Sequence, residues 1–382
     1  MNVLLCSSDN NSASGAFLCL VELCKYLQQK DDINVWVILP ESGTGTKILN
    51  KYNIPYHIIR SYPWVTPVDG NILKKVKCII KWLFNKRAEF LVKRIVRKYN
   101  INLVHSNSTW TYIGIAVAQS CHIKCIWHLR EIMQLSQNLK IFYKKEYVVR
   151  LFNHTDVVIA VSDYVKQYFN TPRYGILNRI YDGVDEKQFC TKERKILSSN
   201  PIRILMINAI YPGKRQHELL QALLKIDDDI LTNVMIYIIG DMEIDSEYTK
   251  SIYKLANKPT LKEKVVFTGV KENLREIYKK GDISIVCSPY EAFGRVTIES
   301  MMSGCLVIGC DSGATAELIS DHKTGLLYES GDYETLAATL VKCIQNKEMS
   351  RTIASDGQKY ALQNFTSDKT GKYIYELYKT LI

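Results

Sequence analysis

Short, almost wholly apolar runs recur along this chain, each separated from the next by a stretch of helical character. In the first half they are Val3 to Cys6, Ile33 to Leu39, Tyr56 to Ile59, Leu103 to His105, Lys124 to His128 and Val157 to Val161. In the second half they are Arg203 to Ile207, Val234 to Ile239, Lys264 to Phe267, Ile283 to Cys287 and Cys305 to Gly309. A strand with one wet face alternates apolar and polar residues; a run without alternation is buried on both faces, as in a parallel sheet covered by helices. Helical periodicities such as Leu219, Leu220, Leu223 and Leu224 supply the cover. Two such sets predict an α/β chain of two Rossmann-like domains. The break falls near residues 170–200, where Asn170, Thr171 and Pro172 precede the polar stretch Thr191 to Asn200. There is no internal repeat and no low-complexity tract.

Composition fits an ordinary soluble enzyme. With 382 residues and 47% apolar content, the chain has enough material for two cores. The eleven Cys form no metal-like CxxC pairs, and Cys6, Cys287, Cys305 and Cys310 lie in or beside apolar runs. There Cys behaves as a small hydrophobe, which predicts a reducing cytoplasm. The N-terminus passes directly into a strand, so no secretory signal is expected, and no uninterrupted apolar run reaches the ~18 residues of a membrane span.

The charge is unevenly placed. Residues 1–170 hold 22 basic and 11 acidic residues, whereas residues 171–382 hold 28 of each, so the whole excess of +11 lies in the first half. Within residues 71–100 stand Lys74, Lys75, Lys77, Lys81, Lys86, Arg87, Lys93, Arg94, Arg97 and Lys98, against the single acid Glu89. On a helical wheel Ile72, Leu73, Val76, Ile79, Ile80, Leu83 and Phe84 share one face, with Lys74, Lys75, Lys77 and Lys81 opposite or at its edges. Two readings stand side by side. Either the apolar face docks on its own domain, or the helix lies on an anionic membrane, helped by the basic, aromatic segment Lys140 to Arg150 with Phe142, Tyr143 and Tyr147.

The densest chemical signal is residues 288–317, SPYEAFGRVTIESMMSGCLVIGCDSGATAE. Glu291 and Glu299 flank the Phe293-Gly294-Arg295 turn just after an apolar run and at the opening of a helical stretch. That is the carboxyl end of a buried parallel strand, where open α/β sheets bind their ligands. The segment resembles the donor-binding signature of retaining glycosyltransferases of the family 4 type. Val161-Ser162, Asp182-Gly183-Val184-Asp185 with Phe189, Phe267-Thr268-Gly269 and Gly325 before Leu326-Leu327 extend the likeness along most of the chain. The resemblance implies the GT-B fold, two Rossmann-like domains facing across a cleft. The expected division is an acceptor domain at 1–172, a nucleotide-sugar donor domain at 173–363, and a C-terminal helix at 364–382 that crosses back to the first domain.

It also implies roles. Glu299 would accept hydrogen bonds from the ribose of the donor nucleotide, and Glu291 would hold hydroxyls of the donor sugar. Phe293, Gly294, Arg295 and Val296 would present backbone N–H groups to sugar and diphosphate, and Gly269 would flank the base. Lys214, after the Pro212-Gly213 turn at an expected helix start, is a compact cation suited to diphosphate oxygens. The family's usual Arg five residues earlier is Ala209 here, so Arg215 or Arg295 supplies the missing charge, or Lys214 acts alone. In the first domain, Ser14-Gly15-Ala16 follows the first strand where the family has paired glycines. The turn is either a helix-capping loop or an anion site, and Gly15 is expected near the diphosphate. His128, in WHLRE at a strand's carboxyl end, is expected to face the transferred sugar and to hydrogen-bond a hydroxyl or assist proton transfer. His105 is expected to be structural. Arg130 and Glu131 either bind acceptor or pair with each other.

The expected activity is thus transfer of a sugar from a nucleotide-diphosphate sugar, UDP- or GDP-linked, to a glycan or polyprenyl-diphosphate-linked acceptor in cell-surface polysaccharide biosynthesis. Glu291, His128 and Lys214 are the expected catalytic residues, with no metal or resident cofactor, because Lys214 and helix termini neutralise the leaving diphosphate. Glu291 is not expected to be a covalent nucleophile, since the paired carboxylates of hydrolases must both flank the scissile bond. A GT-B nucleotide-sugar epimerase is one alternative. A basic nucleic-acid-binding protein is another, but it leaves the donor motif without purpose, and no nucleic-acid partner is expected. The expected location is cytoplasmic, or peripheral on the inner face of the plasma membrane through residues 71–100.

Overall fold

The structure is a computed structural model that describes residues 1–67, 72–133, 135, 139–169, 177–191, 194–244, 246–271 and 273–382. It divides into two compact units: Met1–Gly183 with Ser367–Ile382, and Val184–Thr366. The expected boundary at 172/173 lies outside the described residues.

The first unit is built on a seven-stranded parallel sheet. Its strands are β1 (Asn2–Cys6), β2 (Asn34–Leu39), β3 (Tyr56–Ile58), β5 (Leu103–Ser106), β6 (Lys124–Leu129), β8 (Val157–Ala160) and β9 (Leu177–Arg179), in the order β3-β2-β1-β5-β6-β8-β9. A two-stranded antiparallel ribbon pairs β4 (Val65–Pro67) with β7 (Leu139–Ile141). In β1, β5 and β8 nearly every side chain is buried, which explains the unbroken apolar runs. The first helix, Gly15–Leu27, and the C-terminal helix, Ser367–Leu381, both belong to this unit, and Ile374 and Tyr378 join the core of Val3, Leu5, Phe17 and Leu20.

The second unit has a six-stranded parallel sheet, β12-β11-β10-β13-β14-β15. The strands are β10 (Ile202–Ile207), β11 (Val234–Ile239), β12 (Val265–Gly269), β13 (Ile283–Val286), β14 (Leu306–Cys310) and β15 (Leu326–Tyr328). Its core gathers Ile204, Met206, Ile236, Ile238, Ile283, Ile285 and Leu306 with Leu219, Leu220 and Leu223 from the helix Gln216–Leu223. In both sheets the central strands coincide with the expected runs. The short strands β4, β7, β9 and β15 were not expected. Each has only three residues, too few for a periodicity to register.

Candidate active site

In the second unit, β13 ends at Val286 and the chain turns through 288–294 into the helix Arg295–Met302. Gly294 precedes that helix at φ 99°, a left-handed conformation in which a side chain would be strained. The turn is clamped from behind by residues 312–314. Ser312 Oγ donates to Pro289 O at 2.8 Å, and Ala314 N donates to Glu291 O at 2.8 Å. A Cβ on Gly313, itself at φ 61°, would lie 3.0 Å from Glu291 N and O, so only glycine lets the two loops lie this close. The backbone that carries Glu291 is therefore set by packing.

The Glu291 carboxylate forms an ion pair with Lys214 Nζ, and both side chains are largely shielded. Burial works against the ammonium, but the charge of Glu291 with Tyr211 beside it outweighs this and holds Lys214 above the ordinary lysine range. Lys214 does not open a helix, as the sequence suggested. It closes the 3₁₀ turn Pro212–Lys214, Arg215 follows in a left-handed conformation, and the helix begins only at Gln216. Its ammonium therefore stands without the end of an α-helix behind it.

Eight residues beyond Glu291, Glu299 is buried, with Tyr278 Oη donating to Oε2 at 3.1 Å and Arg295 Nε 3.3 Å from Oε1. Burial, followed by the neighbouring Glu299 charge, keeps the Tyr278 hydroxyl protonated, well above the usual phenol range. Arg295 is thus engaged with Glu299. Arg215 reaches Glu218 at 3.5 Å and Ser330 at 3.2 Å. Lys214 is the cation paired with Glu291 through its ammonium. Phe293 is buried, its ring packed edge-on to Phe365 with centroids 6.2 Å apart, and Val296 is half-buried. Gly269 ends β12 at φ 66° with open space on its Cβ side.

In the first unit, Gly15 is exposed and opens the first helix, whose cap is Ser14, with Oγ accepting from Phe17 N. Asp9 organises the preceding loop, accepting from Asn11 N at 3.0 Å and from Ser14 Oγ at 3.0 Å. Burial raises its carboxyl, against these hydrogen bonds. The loop therefore carries an acid that the sequence reading did not weigh.

His128 has no exposed surface. Its Nδ1 is 3.1 Å from Arg130 Nη2 and 3.2 Å from His105 Nε2, and His105 Nδ1 is 2.6 Å from Tyr378 Oη. A guanidinium can only donate, so His128 Nδ1 is an acceptor and its proton lies on Nε2. His105 then donates from Nε2 and accepts from Tyr378 at Nδ1. Burial, together with the Arg130 charge, lowers both imidazoles, His105 to about 3 and His128 well below its ordinary value, so both are neutral. His128 Nε2 has no hydrogen-bond partner among the described residues; Asp182 Oδ1 stands 4.0 Å away.

Arg130 pairs with Asp182, not with Glu131. Glu131 instead accepts from Ser108 Oγ at 2.9 Å and from Thr109 N and Oγ1 at 3.1 and 2.8 Å. Burial pushes its carboxyl up, against these three bonds. His105 proves to be a link between the C-terminal helix and His128. Asp182 and Tyr278 carry no local signal for these contacts, because their partners are 52 and 21 positions away in the sequence. No group of three or more His, Cys, Asp or Glu suited to a metal occurs among the described residues.

Comparison with known proteins agrees with this architecture. The model of glycosyltransferase family 4 matches residues 13–188, and that of glycosyl transferases group 1 matches residues 190–360. CapM of Staphylococcus aureus, a capsular polysaccharide biosynthesis glycosyltransferase, is 24% identical over 88% of this chain and 92% of its own length. The N-acetyl-alpha-D-glucosaminyl L-malate synthase of Bacillus anthracis is 26% identical, over 57% of this chain and 54% of that enzyme. HepE of Anabaena, crystallised with UDP, superimposes with a TM-score of 0.80 at 21% identity over the whole of both chains. Two parallel Rossmann-like units and the likeness to this solved structure define the GT-B fold. The chain belongs to the glycosyltransferases of the family 4 type.

Proposed function

We propose that the protein is a retaining glycosyltransferase that moves a sugar from a nucleotide-diphosphate sugar to a glycan or lipid-linked acceptor in surface-polysaccharide synthesis. The observation that carries this reading is the Lys214–Glu291 ion pair on two loops of the second unit, with Glu299 on the helix that follows. In the unliganded protein Glu291 orients the ammonium. The donor diphosphate then takes the carboxylate's place beside Lys214, which frees Glu291 to accept hydrogen bonds from the sugar. Glu299, held by Arg295 and Tyr278, keeps its carboxylate oriented for ribose hydroxyls. Gly269 and the backbone of Phe293 to Val296 complete the second unit's share of the donor site in this reading. Arg215, turned to Glu218 and Ser330, is not needed.

In the reaction the bond from the anomeric carbon to the diphosphate breaks, and an acceptor hydroxyl forms the new bond on the same face. The hydroxyl proton passes to the departing phosphate oxygen. Lys214 stabilises the charge that develops there, so no metal has to supply it. His128, neutral and protonated at Nε2, enters as a hydrogen-bond donor to a substrate hydroxyl and not as a carrier of charge. Because His128 is fully buried, the reading rests chiefly on Lys214 and Glu291. The relatives support the choice of substrates: CapM is named for capsular polysaccharide biosynthesis, and HepE is known with UDP and with UDP-glucose.

The test is a panel of UDP- and GDP-sugars, scored by protection against thermal unfolding and by nucleotide release, with and without EDTA. One nucleotide sugar is expected to protect and to turn over, undiminished by chelation. Protection by none of them would refute the donor assignment. Activity abolished by EDTA and restored by Mg²⁺ or Mn²⁺ would refute the role given to Lys214.

A further inference from the structure

The basic helix Ile72–Lys98 is 27 residues long, about 40 Å at helical rise, whereas β5, which follows it, has four residues and spans roughly 13 Å. Its last turn lies at the start of the sheet, where Asn2 Nδ2 donates to Tyr99 O at 2.9 Å. Its first half therefore runs past the opposite edge, the carboxyl ends of the strands, where His128 also lies. The helix docks through Asn85, Ala88, Val92 and Val96, all buried and spaced three or four apart.

The face opposite that seam is exposed and apolar in its first half. Val76, Ile79, Ile80 and Leu83 retain 50, 59, 47 and 55% of their surface, and Phe90 retains 61%. On the same face follow Arg87, Arg94, Arg97 and Lys98, all exposed and all near the stripe's axis. Trp82, also exposed, stands at its flank. Of the two sequence readings, docking of the apolar stripe on its own domain is not what is found. Lys81 lies opposite the stripe, as the helical wheel has it, and toward the docked side, with Nζ donating to Val65 O at 3.2 Å. Tyr143 stacks on Phe142 and on Tyr147, and its hydroxyl is 2.6 Å from that of Tyr112, so that aromatic segment packs within its own unit. Lys74 and Lys75 carry no described side chains.

We infer that this face docks on an anionic lipid bilayer, with the aliphatic stripe entering the interface and the arginines meeting lipid phosphates. The inference rests on the proposed reading for its consequence, which is that the acceptor is carried in that bilayer and reaches the first unit at the strand ends. Charge and apolarity together select this occupant. A nucleic-acid backbone would match the arginines but has no use for four aligned aliphatic side chains. A second copy of the chain would bring its own arginines against these. Each basic residue near an anionic surface strengthens partition about 5-fold, and buried aliphatic side chains add to it.

The experiment is flotation of the full chain with vesicles of phosphatidylcholine alone or mixed with phosphatidylglycerol. Nucleotide-sugar protection is measured on the same preparation, so that failure of the donor reading is seen separately. Binding to the anionic vesicles only is expected, with loss near 1 M salt, where the Debye length is ~3 Å. R87Q/R94Q/R97Q/K98Q should weaken it by about 100-fold or more. I79Q/L83Q should weaken it clearly with all charges kept. No binding at low salt, or binding by both variants as tight as the parent's, overturns the inference. So does a dimer in solution that I79Q/L83Q dissociates while the parent ignores vesicles, which would assign the stripe to a second copy.

Discussion

Lys214 and Glu291 hold each other in a site that is mostly closed to water, and that mutual dependence separates their roles from those of ordinary surface charges. Removing either leaves the other charge shielded and without its partner, which is costly. Lys214→Ala and Glu291→Ala should each lower turnover on the order of 10²-fold. In thermal unfolding the double variant should be less destabilised than the sum of the singles, because the second substitution removes a charge already orphaned. Strictly additive stability losses, or single variants that turn over at the parental rate, would show that the pair does not act as a unit. Both residues were legible in the sequence because each sits on a strand-to-helix turn with its own local motif. Arg130 was not. Its partner could have been Glu131 or the acceptor, and only the fold brings Asp182 to it. Ala209 was legible as a departure, whereas the turning of Arg215 toward Ser330 depends on a left-handed backbone that no composition signals.

The C-terminal helix Ser367–Leu381 connects an element to the chemistry of a residue. Ile374 and Tyr378 face the core of the first unit, and Tyr378 also gives its hydroxyl to His105. It thereby fixes the tautomer in which His105 donates from Nε2 to His128 Nδ1, which makes Tyr378 a positioning residue. Tyr378→Phe keeps the ring packing but leaves His105 Nδ1 buried without a donor, a loss of about 1–3 kcal/mol. His105 is then free to adopt the other tautomer, and the imidazole ¹⁵N shifts of both histidines should change, with kcat falling more than KM rises. Unchanged ¹⁵N shifts would contradict the relay, whatever the stability. The helix itself was expected from the family resemblance. The contact from residue 378 to residue 105 was not, since periodicity says which face is buried and nothing of what it meets. The same limit applies to the helix Ile72–Lys98, where both an apolar stripe and a docked seam exist, and they turned out to be opposite faces.

Across the whole molecule, the two units differ in how they answer acid. The first buries His105 and His128 as neutral groups; the second has only the half-buried His217, likewise lowered mainly by burial, and the exposed His322. A folded-state pKa below the unfolded value of about 6.5 means that the unfolded chain binds more protons. Stability is therefore full above about pH 6.5 and is lost as the pH falls below it, down toward the folded value of about 3 for His105. Between pH 7 and pH 5 each imidazole withdraws about 2 kcal/mol from the first unit. Glu131 works in the opposite sense, because burial raises its carboxyl and the folded state takes up that proton early, which offsets part of the loss. Hydrogen exchange at the two pH values should show protection falling in β1, β5 and β6 while β10, β11 and β13 change little. Equal loss in both sheets, or none in the first, would mean that the two histidines are not held neutral by their burial.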